Sequence, residues 1–192
     1  VLPVVHHDGA ESDGFLSYDE NFRAYPNWKL HIIHDGNDEF YRRMKDDLEK
    51  NGYLDDRVTY TCSEKRCDDG YGHGNRHAGL MNLVSKDSDY ALVVNGDTIF
   101  APTLFRWIDS VHRLHNPDLI YWDIVHRAIQ QTHNQGGMSS HLLPGHIDWV
   151  SVAIRTEIAK AGSKPWDALD GDWQWIAECC GITGESPSPK IS

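Results

Sequence analysis

No apolar run in the 192-residue chain approaches the roughly 18 residues that a membrane-spanning helix needs. No stretch shows the charged, apolar and small-residue succession of a secretory signal either. Basic charge is short: 18 Lys and Arg stand against 29 Asp and Glu, a formal net charge of −11. That balance argues against general binding to nucleic acid or to anionic membranes, while leaving room for a local basic pocket that takes a phosphate. Cysteine is scarce and badly spaced for a metal. Cys62 and Cys67 have four residues between them, and Cys179 and Cys180 adjoin. A four-cysteine zinc site usually wants two pairs with two residues inside each. The spacing favours neither zinc nor a disulfide framework, and reduced thiols in a cytoplasmic setting are the plain expectation.

What is present is the composition of an ordinary globular protein, 40% hydrophobic. The length fits one domain able to bury about 70% of its unfolded surface. We read residues 1–180 as that domain and residues 181–192, which include "ESPSPKIS", as a polar, Pro/Ser-rich tail or linker. The chain opens on Val1 rather than Met, so one part of a longer multidomain protein is the expectation.

Apolar, β-rich runs predict strands over residues 1–5, 28–33, 57–62 and 90–94. Helical spacing predicts helices over 15–25, 40–50 and 77–84, and another opening at Pro102 with Leu104, Trp107, Ile108 and Val111 on one face. Residues 118–125 and 147–154 read as further strands, and 155–161 and 171–180 as short helices. The stretch "DDGYGHGNRH", residues 68–77, reads as a polar Gly-rich loop. Strand–helix alternation in the first half predicts right-handed crossovers onto a parallel sheet, and the second half predicts a mixed extension. The fold expected is α/β, with a mostly parallel mixed central sheet flanked by helices. In such sheets ligands bind beyond the carboxyl ends of the strands. The loops at residues 6–13, 34–38, 68–76 and 95–98 are therefore the places for a site.

The stretch "DYALVVNGDTIFAP" carries two readings. Asn95-Gly96 between apolar runs is a hairpin signal. A two-residue hairpin would break the strand–helix rhythm, however, because Pro102 opens a helix. The alternative is a strand end followed by a site loop, in which Asp97 caps the next helix or serves chemistry.

Four stretches in order resemble the motifs of family 2 glycosyltransferases. "LHIIHDGNDE" resembles the strand with Asp-Gly-Ser, placing Asp35 and Gly36 on that motif. "GNRHAGL" resembles Ala-Arg-Asn-x-Gly-Leu, with Arg76 at the arginine. "VVNGDTIFAP" places Asn95, Gly96 and Asp97 on the Asp-x-Asp motif. "AGSKPWDALDGDWQW" places Gly171 and Asp172 on Glu-Asp. The resemblance covers residues 1–180, with two departures: Asn95 stands for the first Asp, and Gly171 stands for Glu.

The resemblance implies a GT-A fold, which is a Rossmann-like nucleotide-binding fold. It further implies a nucleoside diphosphate sugar of UDP or GDP type as donor, and a glycan or other hydroxyl as acceptor. Mg2+ or Mn2+ would offset the charge growing on the leaving diphosphate, held by Asp97 and, as in some GT-A enzymes, by a late histidine, here His146. Asp35 would accept from a ring N–H of the base, or alternatively cap the helix that follows. Arg76 would reach the nucleotide or its phosphates, or alternatively make a surface ion pair. His6, His7, Asn95 and Gly96 complete the expected nucleotide-sugar contacts. An inverting transfer needs a base for the acceptor proton, and Asp172 is the candidate, with Asp170 in reserve. The plain alternative for both is capping of the helix at Trp173. Asp148, Trp149 and Trp173 are candidates for acceptor binding, since aromatic faces stack on sugars, although tryptophans at this spacing are more often core. Two other readings compete. A sugar-phosphate nucleotidyltransferase would carry Arg and Lys in the loop after the first strand, and "HHDGAESDG" has neither. A non-catalytic nucleotide-sugar-binding module would account for Asn95 and Gly171.

Overall fold

The computed structural model describes residues 2–7, 25–36, 38–50, 52, 54, 56–63, 72–95, 98, 100–125, 137–138, 141–143, 146–162 and 171–182. The elements are β1 (Leu2–His7), β2 (Leu30–His34), α1 (Glu39–Lys50), β3 (Val58–Cys62), α2 (His73–Asn82), β4 (Tyr90–Asn95), α3 (Leu104–His115), β5 (Leu119–Tyr121), β6 (Ile124–Val125), β7 (Gly137–Met138), a 3-10 turn (Trp149–Ser151), β8 (Val152–Arg155), α4 (Thr156–Ala161) and α5 (Gly171–Cys179). β1–β5 and β8 form a six-stranded sheet in the order β3-β2-β1-β4-β8-β5, and β6 with β7 makes a separate two-stranded ribbon. The pairings β3–β2, β2–β1 and β1–β4 are parallel. Those of β8 with β4 and β5 are antiparallel, as is the β6–β7 ribbon, so the architecture is mixed α/β.

Period-two alternation sorts side chains onto the two faces of this sheet. Leu30, Ile32, Val58, Tyr60, Tyr90, Leu92 and Val94 pack on one side with Leu48 of α1 and Leu104, Phe105 and Ile108 of α3. Ile33, Ala91, Val93, Val152 and Ile154 pack on the other with Leu80 of α2, Ala159 of α4 and Trp175 and Ile176 of α5. Helices therefore cover both faces, as buried parallel strands require.

The structure departs from the sequence reading in three places. The Gly-rich stretch is helical from His73, because left-handed Gly72 (φ 70°) turns the chain into α2 and Leu80 then buries fully. The strand predicted over 147–154 begins only at Val152. Asp148 first caps a 3-10 turn, accepting from the Val150 N–H at 3.3 Å while its own N–H donates to Ser151 Oγ at 3.2 Å. The strand predicted over 118–125 divides. Leu119–Tyr121 pairs with β8, whereas Ile124–Val125 pairs with Gly137–Met138, a strand the sequence reading lacks. At Asn95-Gly96, by contrast, the described residues agree with the favoured reading of a strand end rather than a hairpin. β4 pairs with β1 and β8, and neither Thr98 nor Phe100 is in a strand. The helix expected at 15–25 lies outside the described residues, apart from Tyr25, which is non-helical.

Candidate functional site

The chain runs from β1 out to β2 and β3, then returns through α2 to β4 on the other side of β1. This reversal is a topological switch point, where a crevice opens at the carboxyl ends of the strands. The register aligns those ends: His6 pairs with Asn95, His7 with His34, and His34 with Cys62. His6, His7 and Asn95 are thus neighbours in the backbone ladder at the switch point. Gly96, Asp97 and Asp170 lie outside the described residues.

Asp35 follows the last residue of β2 and is half-buried. Its Oδ1 accepts from Asn75 Nδ2 at 2.9 Å and, at the long distance of 3.5 Å, from the Ser63 hydroxyl. Ser63 Oγ in turn accepts the Gly36 N–H at 2.9 Å. Gly36 has φ 97°, a conformation that favours glycine. The helix-cap alternative for Asp35 falls to another residue: Asp38 Oδ1 accepts the Tyr41 N–H at 2.9 Å at the start of α1. Asp38 also lies 3.3 Å from His34 Nε2, while the Tyr60 hydroxyl and His34 Nδ1 are 3.3 Å apart. The ring of His34 stacks on Phe40 at 5.6 Å, so the turn carrying Asp35 is tied down on both flanks.

α2 brings the second half of the site. Arg76 is only 7% exposed, which removes the surface ion-pair alternative, and its guanidinium sits 5.9 Å from the Trp149 ring centroid. His73, one turn earlier, places its ring 5.7 Å from the same indole. Positions three apart share a helix face, so both reach Trp149, while Asn75 points to Asp35. Trp149 is 4% exposed and stacks on Trp175 at 5.1 Å. With so little surface left, its indole forms the floor beneath Arg76 and His73. Trp173, half-buried, packs against the same cluster.

Asp172 lies in the first turn of α5, where its Oδ1 accepts the Trp173 N–H at 2.7 Å. Burial pushes its carboxyl above the ordinary aspartate range. The Trp173 amide opposes that rise, the nearby Asp148 charge adds to it, and His73 opposes it. Asp148 and His73 thus both act on the carboxyl of Asp172. An aspartate raised in this way is a better proton acceptor at neutral pH than an exposed one.

His146 is exposed. Its carbonyl accepts the His141 N–H at 3.0 Å, and the two imidazoles are 6.1 Å apart. Among the described residues no group of three or more His, Cys, Asp or Glu could hold a metal ion. Of the two residues expected to hold Mg2+ or Mn2+, Asp97 lies outside the described residues, and only His146 is described. Cys62, Cys179 and Cys180 are free, and burial pushes the Cys179 thiol up to about 12 and that of Cys180 to about 11, which makes both inert. Cys67 lies outside the described residues.

Sequence reasoning passed over His73, Asn75 and Ser63. The first two sat in a stretch read as loop. The signal that could have found them is helical: His73, Arg76 and Leu80 recur at spacings of three and four.

No protein-family model and no curated relative matches the sequence. Among solved structures the chain is similar to S. aureus TarS, a glycosyltransferase. Against TarS 1–349 the TM-score is 0.63 at 10% identity, covering 93% of this chain and 54% of that one. Against S. aureus TarS the values are 0.65, 11%, 93% and 33%. Against TarS 1–349 in complex with UDP they are 0.63, 10%, 93% and 55%. The chain thus spans between 33% and 55% of the length of these neighbours. No helix among the described residues is long and apolar enough to cross a membrane. At so low an identity the likeness speaks to the fold alone, the mixed α/β fold that this chain shares with these structures.

Proposed function

We propose that this chain transfers a sugar from a nucleoside diphosphate sugar of UDP or GDP type to a hydroxyl acceptor, with inversion. The observation that carries the reading is the first turn of α2. It joins a carboxylate just past β2, through Asn75, to the Trp149 ring, through His73 and Arg76, and His73 also acts electrostatically on the carboxyl of Asp172 at the start of α5. Asp35 accepts a ring N–H of the base. Arg76 supplies a buried positive charge toward the diphosphate, where negative charge grows as the glycosidic bond breaks. Asp172 takes the proton of the acceptor hydroxyl. The acceptor oxygen bonds to the anomeric carbon, and the bond to the diphosphate breaks. Asp148 and half-buried Trp173 border Asp172 and bind the acceptor. A divalent cation, Mg2+ or Mn2+, would neutralise diphosphate charge, with Asp97 and His146 as the residues proposed to hold it. Because the similar structures are longer chains, the acceptor and any further domain belong to this proposal too.

The test is release of nucleoside diphosphate from a panel of UDP- and GDP-sugars by the purified chain with Mn2+, with and without hydroxyl acceptors. Turnover of one donor, lost in Asp172→Asn, supports the reading. Nucleotide-sugar binding without turnover across the panel favours the non-catalytic module instead, for which Asn95 and Gly171 at the motif positions are the specific observation.

A further inference from the structure

Asn75 stands immediately before Arg76 in α2 and is 5% exposed, yet it does not face Trp149 as Arg76 does. Its amide reaches across to the turn after β2 and donates to Asp35 Oδ1 at 2.9 Å. An ionised carboxylate only accepts, so the nitrogen of the amide is the atom that must face it. The Ser63 hydroxyl, from the end of β3, approaches the same oxygen at 3.5 Å and holds the next backbone N–H, that of Gly36, at 2.9 Å. Donors from two other elements thus converge on one oxygen of Asp35. Fixing that oxygen fixes the carboxylate plane, and with it the direction of the second oxygen.

We propose that Asn75 is a positioning residue that sets the Asp35 carboxylate to accept a nucleobase ring N–H, and so makes the site select uracil or guanine over cytosine. This rests on the donor reading given above. The shared chemistry is a ring N–H flanked by carbonyl: N3–H in uracil and N1–H in guanine. Cytosine presents a lone pair at the matching ring nitrogen, which a fixed carboxylate repels. A carboxylate free to rotate would discriminate less, because it could turn its charge away from that lone pair. A direct role for Asn75 on the base is not needed. It acts through Asp35, and that dependence is the measurable signature.

The experiment is calorimetric titration of the full chain with UDP, GDP and CDP, for the parent, Asn75→Ala, Asp35→Ala and the double variant. The parent binds UDP or GDP at least tenfold tighter than CDP, and the tighter of the two names the base. Asn75→Ala weakens that preferred ligand about tenfold and narrows its margin over CDP, the scale expected for one hydrogen bond to a charged group. In the Asp35→Ala background the same change adds less than twofold, because its route is already gone. Asn75→Leu keeps the side-chain shape and removes the donor without adding a charge. It serves as the second variant should the alanine variant not fold, and it weakens binding about tenfold. Additive losses in the double variant, or unchanged affinity in both Asn75 variants while Asp35→Ala loses it, overturn this inference and leave the donor reading standing. Absence of any nucleoside diphosphate binding by the parent overturns the donor reading and this inference with it.

Discussion

Asp172→Asn separates what the site does from what it costs the fold. The amide keeps an oxygen for the Trp173 N–H now held at 2.7 Å, so the first turn of α5 stays capped. What disappears is a negative charge in a half-buried place, next to the charge of Asp148. Because burial raises the folded-state value above the unfolded one, ionising Asp172 opposes folding. Its contribution to stability is fully present below the unfolded value of about 3.9, and is lost as pH climbs through the folded value. The parent therefore carries a handicap at pH 7 that the variant lacks. Each unit of upward displacement corresponds to at most about 1.4 kcal/mol, or about 3–6 °C in Tm for a chain of this size, less what solvent screens at a half-buried site. Thermal unfolding at pH 7 should show Asp172→Asn melting higher than the parent. The gain should shrink toward zero near pH 3.5, where the parent carboxyl is itself neutral. Turnover of the nucleotide sugar should fall by about 10²–10⁴-fold, the usual contribution of a positioned base, with UDP affinity within twofold. In the parent, the acid limb of kcat/KM should lie above the ordinary aspartate range. An equal or lower Tm at pH 7 would refute the argument that burial dominates at Asp172, and retained turnover would refute its role as base.

Arg76→Lys keeps the charge and loses the planar group over Trp149, so UDP affinity should fall about tenfold by calorimetry while the fold persists by circular dichroism. Asp38→Ala removes the cap on Tyr41, a loss of about 1 kcal/mol that lowers Tm by about 2–4 °C. Chelation with EDTA should abolish sugar transfer, with Mn2+ or Mg2+ restoring it, and Asp97→Ala should resist that restoration. Activity indifferent to chelator would remove Asp97 and His146 from the list of metal ligands.

The continuous apolar run of residues 90–94 was enough, within the sequence, to predict a buried strand, because successive side chains point to opposite faces and both faces here are covered. The same logic made residues 28–33 and 57–62 legible as strands, and placed Asp35 just past a strand end. The helix opening near Pro102 was legible from its apolar face, with Leu104, Phe105 and Ile108 buried as a group. Local patterns of this kind survive folding because burial acts on them in place.

The first turn of α2 could not be read this way. His73, Gly74 and Asn75 are weak helix formers, and local propensity favours the loop reading of "DDGYGHGNRH". The helix forms because Leu80 buries fully against the sheet, and because His73 and Arg76 find Trp149, about 70 residues away along the chain. For the same reason the strand foreseen over 147–154 yields its first half to a turn capped by Asp148, a choice set by hydrogen bonds the apolar pattern does not encode. The sequence alone determined the buried strands within residues 28–33, 57–62 and 90–94, and set Asp35 just past the first of them. Only the tertiary structure decided that Asn75 would hold Asp35 and that burial would raise Asp172, because partner choice and desolvation depend on which distant surfaces close over a side chain.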